Sequence, residues 1–260
     1  MSDYKDTPSF FNSEEVLKKY LGNTSYYTAL RNAVTKLVKL IKPEKVVELG
    51  AATGATTIML AKKFKSIDFF GSDIRPDVVE IAKHAADKQG VANAAFGTVD
   101  MCRFAERPAD TDFVFLLYSF HHIVDPLGLK EKFFADMFRN MKKGAYLCIA
   151  ESFIPEDAKD NTDAEKILEL WNARSVEGGA STYWNSLSGL SKSKLRLAKE
   201  TAEYCGKNEL VAGGLVAKRQ DEYLVKRSWV VEQGGKAGFV VVINEPVNAH
   251  GDGVILLRKS

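Results

Sequence analysis

The sequence predicts an α/β fold: a doubly wound, seven-stranded, mostly parallel sheet with an antiparallel last strand and a helical insertion between strands 5 and 6. Three observations predict it. From Lys45 onward, short apolar runs alternate with amphipathic segments, the texture of strand and helix in turn. Over 153–219 the alternation breaks, and helical signals run on without a convincing apolar strand. It returns near the C-terminus as two strands joined by EPVNAHGD, a link too short for a helical crossover, so the pair is expected to be antiparallel.

The elements follow in order. A short helix is predicted from Ser13 to near Gly22. Leu30, Ala33, Val34, Leu37, Val38 and Ile41 then recur at three-and-four spacing, and Pro43 stops the run; these are the N-terminal helices, 1–43. Strands are predicted over Lys45 to Leu49, Ile67 to Ser72, Ala94 to Thr98, Asp112 to Tyr118 and Ala145 to Glu151. Between the second and third, Pro76 suits a first helical turn, Val78, Ile81, Ala82 and Ala85 form one apolar face, and Gly90 stands where a C-terminal cap belongs. Strand, helix, strand requires a right-handed crossover and parallel pairing. In the insertion, Ala164, Ile167, Leu168 and Trp171 make one stripe and Leu190, Leu197 and Tyr204 another, separated by the loop SVEGGASTYWNSLSG. A helix ending near Gly238, a strand Phe239 to Asn244 and a strand Gly253 to Leu257 complete the chain.

With 260 residues, 45% hydrophobic and 27% charged, the chain can bury a full core, and a single domain over 1–260 with an insertion is expected. A formal charge of +2 without a long like-charge block gives no electrostatic case for nucleic acid or membrane as a partner. The longest apolar run, Phe113 to Tyr118, falls far short of the roughly 20 residues a bilayer span needs. The N-terminus, MSDYKDTPSF, has acids where a signal peptide carries a basic flank, so a cytoplasmic location is expected. Cys102, Cys148 and Cys205 are too widely spaced for a disulfide framework or a zinc set.

The chemistry concentrates at the strand ends. The first strand runs into VVELGAATGATTIMLA, placing Glu48, Gly50 and Gly54 as E-x-G-x-x-x-G at a strand-to-helix turn. Gly50 permits the tight turn and Gly54 lets a ligand approach the backbone. A nucleotide-like ligand is implied. Asp73, at the tip of the second strand, stands where a carboxylate can accept both hydroxyls of a ribose. After the third strand, Asp100 can take an adenine amine while Met101 packs on the ring. No P-loop is present. Ligands in such sheets bind outside the carboxyl ends of the strands, which nominates Tyr118, Ser119, His121, His122 and Asp125 after strand four and Glu151 after strand five.

These residues resemble the class I S-adenosylmethionine-dependent methyltransferases, from about Lys45 to Glu151 and again in the C-terminal strand pair. One departure is Ala52, where many members have glycine, so the turn must accommodate a methyl group. The resemblance implies S-adenosylmethionine as cofactor. Glu48 would order the loop and the methionine amino group, Gly50 and Gly54 would line the methionine moiety with Ala52, Asp73 would hold the ribose next to Ile74, and Asp100 and Met101 would hold the adenine, with Tyr118 also in the pocket. YSFHHIVDP resembles the His-His-x-x-Asp-Pro run of many small-molecule methyltransferases, making His121, His122 and Glu151 candidates for catalysis; histidine suits a base because its unperturbed pKa is near 6.5. The expected reaction is methylation of a small molecule at oxygen or nitrogen.

No metal is expected. Adjacent histidines in a strand-like stretch point opposite ways, and the place where catechol-type enzymes carry an Asp-Asn pair reads ESFIP. The insertion would be a lid whose Tyr183 and Trp184, with Tyr26 and Tyr27 of the N-terminal helices, contact the acceptor. Rival readings are a nicotinamide-dependent oxidoreductase, a non-catalytic binder of S-adenosylmethionine, and a wobble-uridine tRNA enzyme using carboxy-S-adenosylmethionine. The Glu48 to Gly50 spacing and the antiparallel C-terminal pair favour methyl transfer over the oxidoreductase. The oligomeric state is open, a homodimer included.

Overall fold

The computed structural model describes residues 25–106, 110–123, 128–159, 163, 166, 224–248 and 251–260. Its elements are helix α1 (Ser25–Ile41), strand β1 (Lys45–Leu49), α2 (Ala55–Lys63), β2 (Asp68–Asp73), α3 (Pro76–Lys88), β3 (Ala94–Thr98), β4 (Phe113–Leu117), α4 (Gly128–Asn140), β5 (Tyr146–Ser152), α5 (Arg227–Ala237), β6 (Phe239–Pro246) and β7 (Asp252–Lys259). Seven strands form one sheet in the order β3-β2-β1-β4-β5-β7-β6. β1 to β5 pair in parallel, and β7 runs antiparallel to both β5 and β6. The expected fold class is therefore the observed one. The chain winds outward from β1 to β3 and then returns to lay β4 on the other side of β1, so the crevice between the carboxyl ends of β1 and β4 is where strand order reverses.

Alternation along each strand divides the core between two layers. Phe113, Phe115 and Leu117 of β4 join Leu30, Val34 and Val38 of α1, Ile58 and Leu60 of α2 and Val79 and Ala82 of α3 on one face. Val114 and Leu116 join Phe133, Phe134 and Met137 of α4 and Val230 of α5 on the other. α3 has Pro76 in its first turn, and Gly90 follows its end at φ +63°, as the sequence suggests. Gly238 closes α5 in the left-handed conformation.

β1 and β3 have the boundaries expected, and other strand ends differ by a residue or more for visible reasons. Asp112 does not open β4, because its Oδ2 accepts the amides of Glu44 and Lys45 at 2.9 Å each. Tyr118 does not close it, because its φ is +51°. β2 and β5 each start and end one residue later than expected, and β6 and β7 extend further along their shared hairpin.

Phe96 of β3 spaces the layers beneath the β1–α2 loop. A Cβ on Gly71 of β2 would lie 2.6 Å from the Phe96 ring, and a Cβ on Gly54 would also lie 2.6 Å from it. One aromatic ring thus fills the room that two glycines leave.

The predicted helix Ser13 to Gly22, most of the proposed lid 153–219 including Tyr183 and Trp184, and Asp125 lie outside the described residues. The described flanks of that insertion return to one place. Ile154 bridges Lys226 in parallel, the Ile154 amide donates to the Val225 carbonyl at 3.2 Å, and Ser228 donates from its amide to Glu156 Oε1 at 3.0 Å.

Candidate cofactor pocket and catalytic edge

The β1–α2 loop is clipped onto the neighbouring strand. The amides of Gly50 and Ala51 both donate to the Ser72 carbonyl, at 2.8 and 2.7 Å. Gly50 has φ +77° and Gly54 has φ +74°. A Cβ on Gly50 would sit 2.4 Å from Ser119 Cβ, so glycine is needed there for space as well as for conformation. At Gly54 the missing Cβ points at Phe96 and Ala82, which gives this glycine a packing reason in addition to the ligand approach expected from sequence. Ala52 is held at φ +46°, a left-handed conformation that costs an L-residue about 1 kcal/mol. Asp73 holds it there: its Oδ2 accepts the Ala52 amide at 2.9 Å while its Oδ1 accepts the Arg75 amide at 3.0 Å. Burial pushes the Asp73 carboxyl up, and those amides work against it. Each carboxylate oxygen has two acceptor positions, so capacity for ribose hydroxyls remains. Ile74, the next residue, is partly exposed at the strand tip.

Glu48 is buried in β1, and its Oε2 accepts a hydrogen bond from Thr57 Oγ1 of α2. Burial pushes its carboxyl up to about 7, against the lowering effects of Thr57 and the Arg31 charge. Arg31 reaches across from α1 and donates from Nε to Thr56 Oγ1 at 3.0 Å. The sequence reading did not single out this arginine.

At the far end of the crevice, Asp100 Oδ1 accepts the Cys102 amide at 2.8 Å and caps a 3-10 turn, Met101–Glu106. Met101 leans back over the loop, with its Cε 3.5 Å from where a Gly50 Cβ would be. Tyr118 meets Tyr27 of α1 edge to face at 4.8 Å between ring centroids, and the Arg31 guanidinium lies 5.3 Å from the Tyr27 ring centre. Tyr27 is therefore packed against a predicted pocket residue. Tyr26 lies in the first turn of α1, and its side chain is outside the described residues.

After β4 the chain makes a 3-10 turn, Phe120–His122. Phe120 anchors it in the core against Phe133 and Phe134, at 5.8 and 5.7 Å. Ser119 Oγ donates to the Leu49 carbonyl at 2.7 Å, joining this turn to the end of β1. Lys130 of α4 is 0% exposed, donates from Nζ to the Ile123 carbonyl at 2.7 Å and lies 5.2 Å from the Phe120 ring centre. His121 meets the buried Glu151 of β5 twice: its amide donates to Oε2 at 3.3 Å, and its Nδ1 lies 2.9 Å from the same oxygen. The Ser152 amide donates to Glu151 Oε1 at 2.8 Å. Burial alone would raise the Glu151 carboxyl, but the His121 charge and these hydrogen bonds outweigh it and hold it below the usual carboxylate range.

The turn corrects one expectation. The stretch is not strand-like, and the rings of His121 and His122 do not point opposite ways; their centroids are 4.1 Å apart, because a 3-10 turn carries successive side chains round by about a third of a circle. His121 is half-buried on Glu151 and His122 is exposed. Among the described residues, no group of three or more His, Cys, Asp or Glu could hold a metal ion.

The pocket fits a cofactor with a polar end on the glycine loop. Thr53 is 2% exposed, and its Oγ1 has no hydrogen-bond partner among the described residues. A buried hydroxyl left so costs about 1–3 kcal/mol, which a ligand group on the loop can offset.

A 3-2-1-4-5-7-6 sheet with β7 reversed, a Glu-x-Gly loop after β1 and an acid closing β2 define a class I S-adenosylmethionine-dependent methyltransferase. The chain belongs to the methyltransferase-domain family, whose model matches residues 41–207. It is similar to ajmaline N-methyltransferase of Rauvolfia serpentina, 27% identical over 148 residues, 56% of this chain and 49% of the relative. The chain spans about half the length, or less, of the curated relatives it matches. Among solved structures, its fold is similar to that of an S-adenosylmethionine-dependent methyltransferase from Aquifex aeolicus (TM-score 0.58, 15% identity, 98% of this chain and 99% of that one). It is also similar to phosphoethanolamine N-methyltransferase 2 of Haemonchus contortus in complex with S-adenosylmethionine (TM-score 0.57, 17% identity, 94% and 45%). S-adenosylmethionine is the cofactor of this class. No helix among the described residues is long and apolar enough to cross a membrane.

The assignment of Glu48 to the cofactor's amino group predicts that cofactor binding depends on pH. An ammonium group beside it favours the ionised carboxylate, so binding near its pKa of about 7 expels a proton. Raising the pH from 6 to 8 should tighten S-adenosylhomocysteine roughly tenfold, measured by calorimetry, and Glu48→Gln should flatten the profile. A flat wild-type profile overturns the assignment. Without ligand the same burial works against the fold: from about pH 4.3, where the unfolded carboxyl ionises, to about 7, the folded chain keeps a proton the unfolded chain has released, and stability falls.

Proposed function

We propose that this chain methylates a small-molecule acceptor at oxygen or nitrogen without a metal ion, and that His121 takes the acceptor's proton. The observation that carries the proposal is the contact between His121 Nδ1 and the buried Glu151 carboxylate at 2.9 Å, beside the crevice onto which the cofactor loop opens. Bound S-adenosylmethionine supplies an electrophilic methyl on its sulfonium. Glu151 accepts a hydrogen bond from Nδ1–H, fixes the ring and stabilises the imidazolium, which leaves Nε2 in the tautomer that accepts a proton. As the acceptor's lone pair takes the methyl carbon, the methyl–sulfur bond would break with its electron pair staying on the departing thioether, S-adenosylhomocysteine, and the acceptor's proton would pass to His121 Nε2. His122, whose ring is tilted against that of His121 at 4.1 Å between centroids, borders the acceptor side. Tyr183 and Trp184 of the insertion 153–219 are proposed as acceptor-binding residues on sequence grounds alone, within a single domain that includes the N-terminal helices. The names of two relatives, ajmaline and norajmaline N-methyltransferase, support a small acceptor methylated at nitrogen.

The test is incubation with methyl-labelled S-adenosylmethionine and fractionated metabolites, with total RNA in a parallel arm and a chelated duplicate of each. The expected result is a small product heavier by one methylene, formed equally after chelation. Label found in RNA alone overturns the acceptor class. Loss on chelation that magnesium or zinc restores overturns metal independence.

A further inference from the structure

We infer that Arg31 anchors the α-carboxylate of the cofactor's methionine half, so that Glu48 and Arg31 together read an amino-acid zwitterion. This rests on the methyl-transfer reading above. The two charged side chains come from different elements, β1 and α1, yet they dock on adjacent residues of α2: Glu48 accepts from Thr57 Oγ1, and Arg31 donates to Thr56 Oγ1 at 3.0 Å. No hydrogen bond joins them to each other among the described residues, although each feels the other's charge. A guanidinium has five donors, and among the described residues one hydrogen bond engages that of Arg31, with the Tyr27 ring 5.3 Å away on one side.

Such a cation, partly stripped of water, is under-used by the protein around it. Burial lowers the Arg31 pKa, with the Glu48 and Tyr27 charges opposing the shift, so the site gains from a further anion. The positive end of the nine-residue α2 lies at the same place, and its N-cap, Gly54, offers no side-chain acceptor to the first turn. Next to it stands the buried, unpartnered hydroxyl of Thr53. S-adenosylmethionine has one carboxylate, four bonds from the sulfonium sulfur. A carboxylate held by Arg31 and an ammonium held by Glu48 fix that end of the molecule at two points and so set the direction of the sulfonium.

Calorimetry with two probes tests this: S-adenosylhomocysteine, which has the amino-acid half, and 5′-deoxy-5′-methylthioadenosine, which lacks it. Arg31→Met should weaken S-adenosylhomocysteine at least about tenfold and leave methylthioadenosine within about twofold; Arg31→Lys should fall between wild type and Met. Equal weakening of both probes makes Arg31 a structural strut and overturns the assignment, as does unchanged binding of S-adenosylhomocysteine. If Arg31→Met does not fold, the wild-type chain decides: decarboxylated S-adenosylhomocysteine should bind at least about tenfold more weakly than the parent, and equal affinity overturns the proposal. A wild-type chain that binds no S-adenosylhomocysteine removes the methyl-transfer reading, and this assignment with it.

Discussion

Replacing His121 by Gln should lower turnover by roughly 100-fold or more while leaving S-adenosylhomocysteine affinity within about twofold. Glutamine keeps a donor for Glu151 and a similar reach, so the 3-10 turn should hold its shape; what is lost is a group that can be neutral at one moment and protonated at the next. The turn has its own supports in Phe120, Lys130 and the Ser119 bond to Leu49, which separates the loss of a base from a loss of structure. Glu151→Gln should also slow turnover, because the imidazolium formed during transfer loses its counter-charge. His122→Gln is the comparison, and a smaller loss of turnover is expected because the 2.9 Å contact with the Glu151 carboxylate is made by His121. Wild-type turnover in both histidine variants shifts the role to Glu151, or to no base at all, as for an acceptor that arrives deprotonated.

Asp73→Ala should weaken S-adenosylhomocysteine binding by about two orders of magnitude. Two losses coincide. The ribose hydroxyls lose a charged acceptor, and hydrogen bonds to charged groups contribute about 1.5–3 kcal/mol. Ala52 loses the carboxylate that holds its amide at 2.9 Å, and its strained left-handed conformation has no remaining reason to persist. About 3 kcal/mol corresponds to roughly a hundredfold in affinity. Asp73→Asn should fall between, because an amide has a single acceptor oxygen and cannot take the Ala52 and Arg75 amides on two oxygens at once. Calorimetry reads both variants, and thermal melting without ligand reads the loop's share. An unchanged dissociation constant in Asp73→Ala would place the ribose elsewhere.

The sheet was legible because parallel strands buried on both faces appear as short apolar runs, and because EPVNAHGD can only turn a hairpin. The limits of strands were less so. Nothing in the local pattern says that Asp112 spends its carboxylate on two amides, or that Tyr118 turns left-handed. The same blindness reversed the geometry of His121 and His122: a 3-10 turn three residues long has no periodicity to read. Glu48, Gly50 and Asp73 stood out through spacing alone. Arg31 did not, since its partner Thr56 is 25 residues away. Lys130 left a trace that could have been followed, because it stands three, four and seven residues before Phe133, Phe134 and Met137, on the buried face of α4. A lysine on an apolar stripe is a lysine with a task inside the protein.

Gly54, Gly71 and Phe96 are written on three separate stretches of chain, yet they occupy a single volume. Evolution can therefore not edit them one at a time. A methyl gained at 54 or 71 collides with the ring, and a ring lost at 96 opens a void beneath the loop that carries the cofactor. Lineages that drift at one of these positions must pass through a weakened intermediate or change two together. In a collection of descendants, residues 71 and 96 should rise and fall in size as one inherited unit, while position 54, at φ +74°, should stay glycine even where the aromatic has gone.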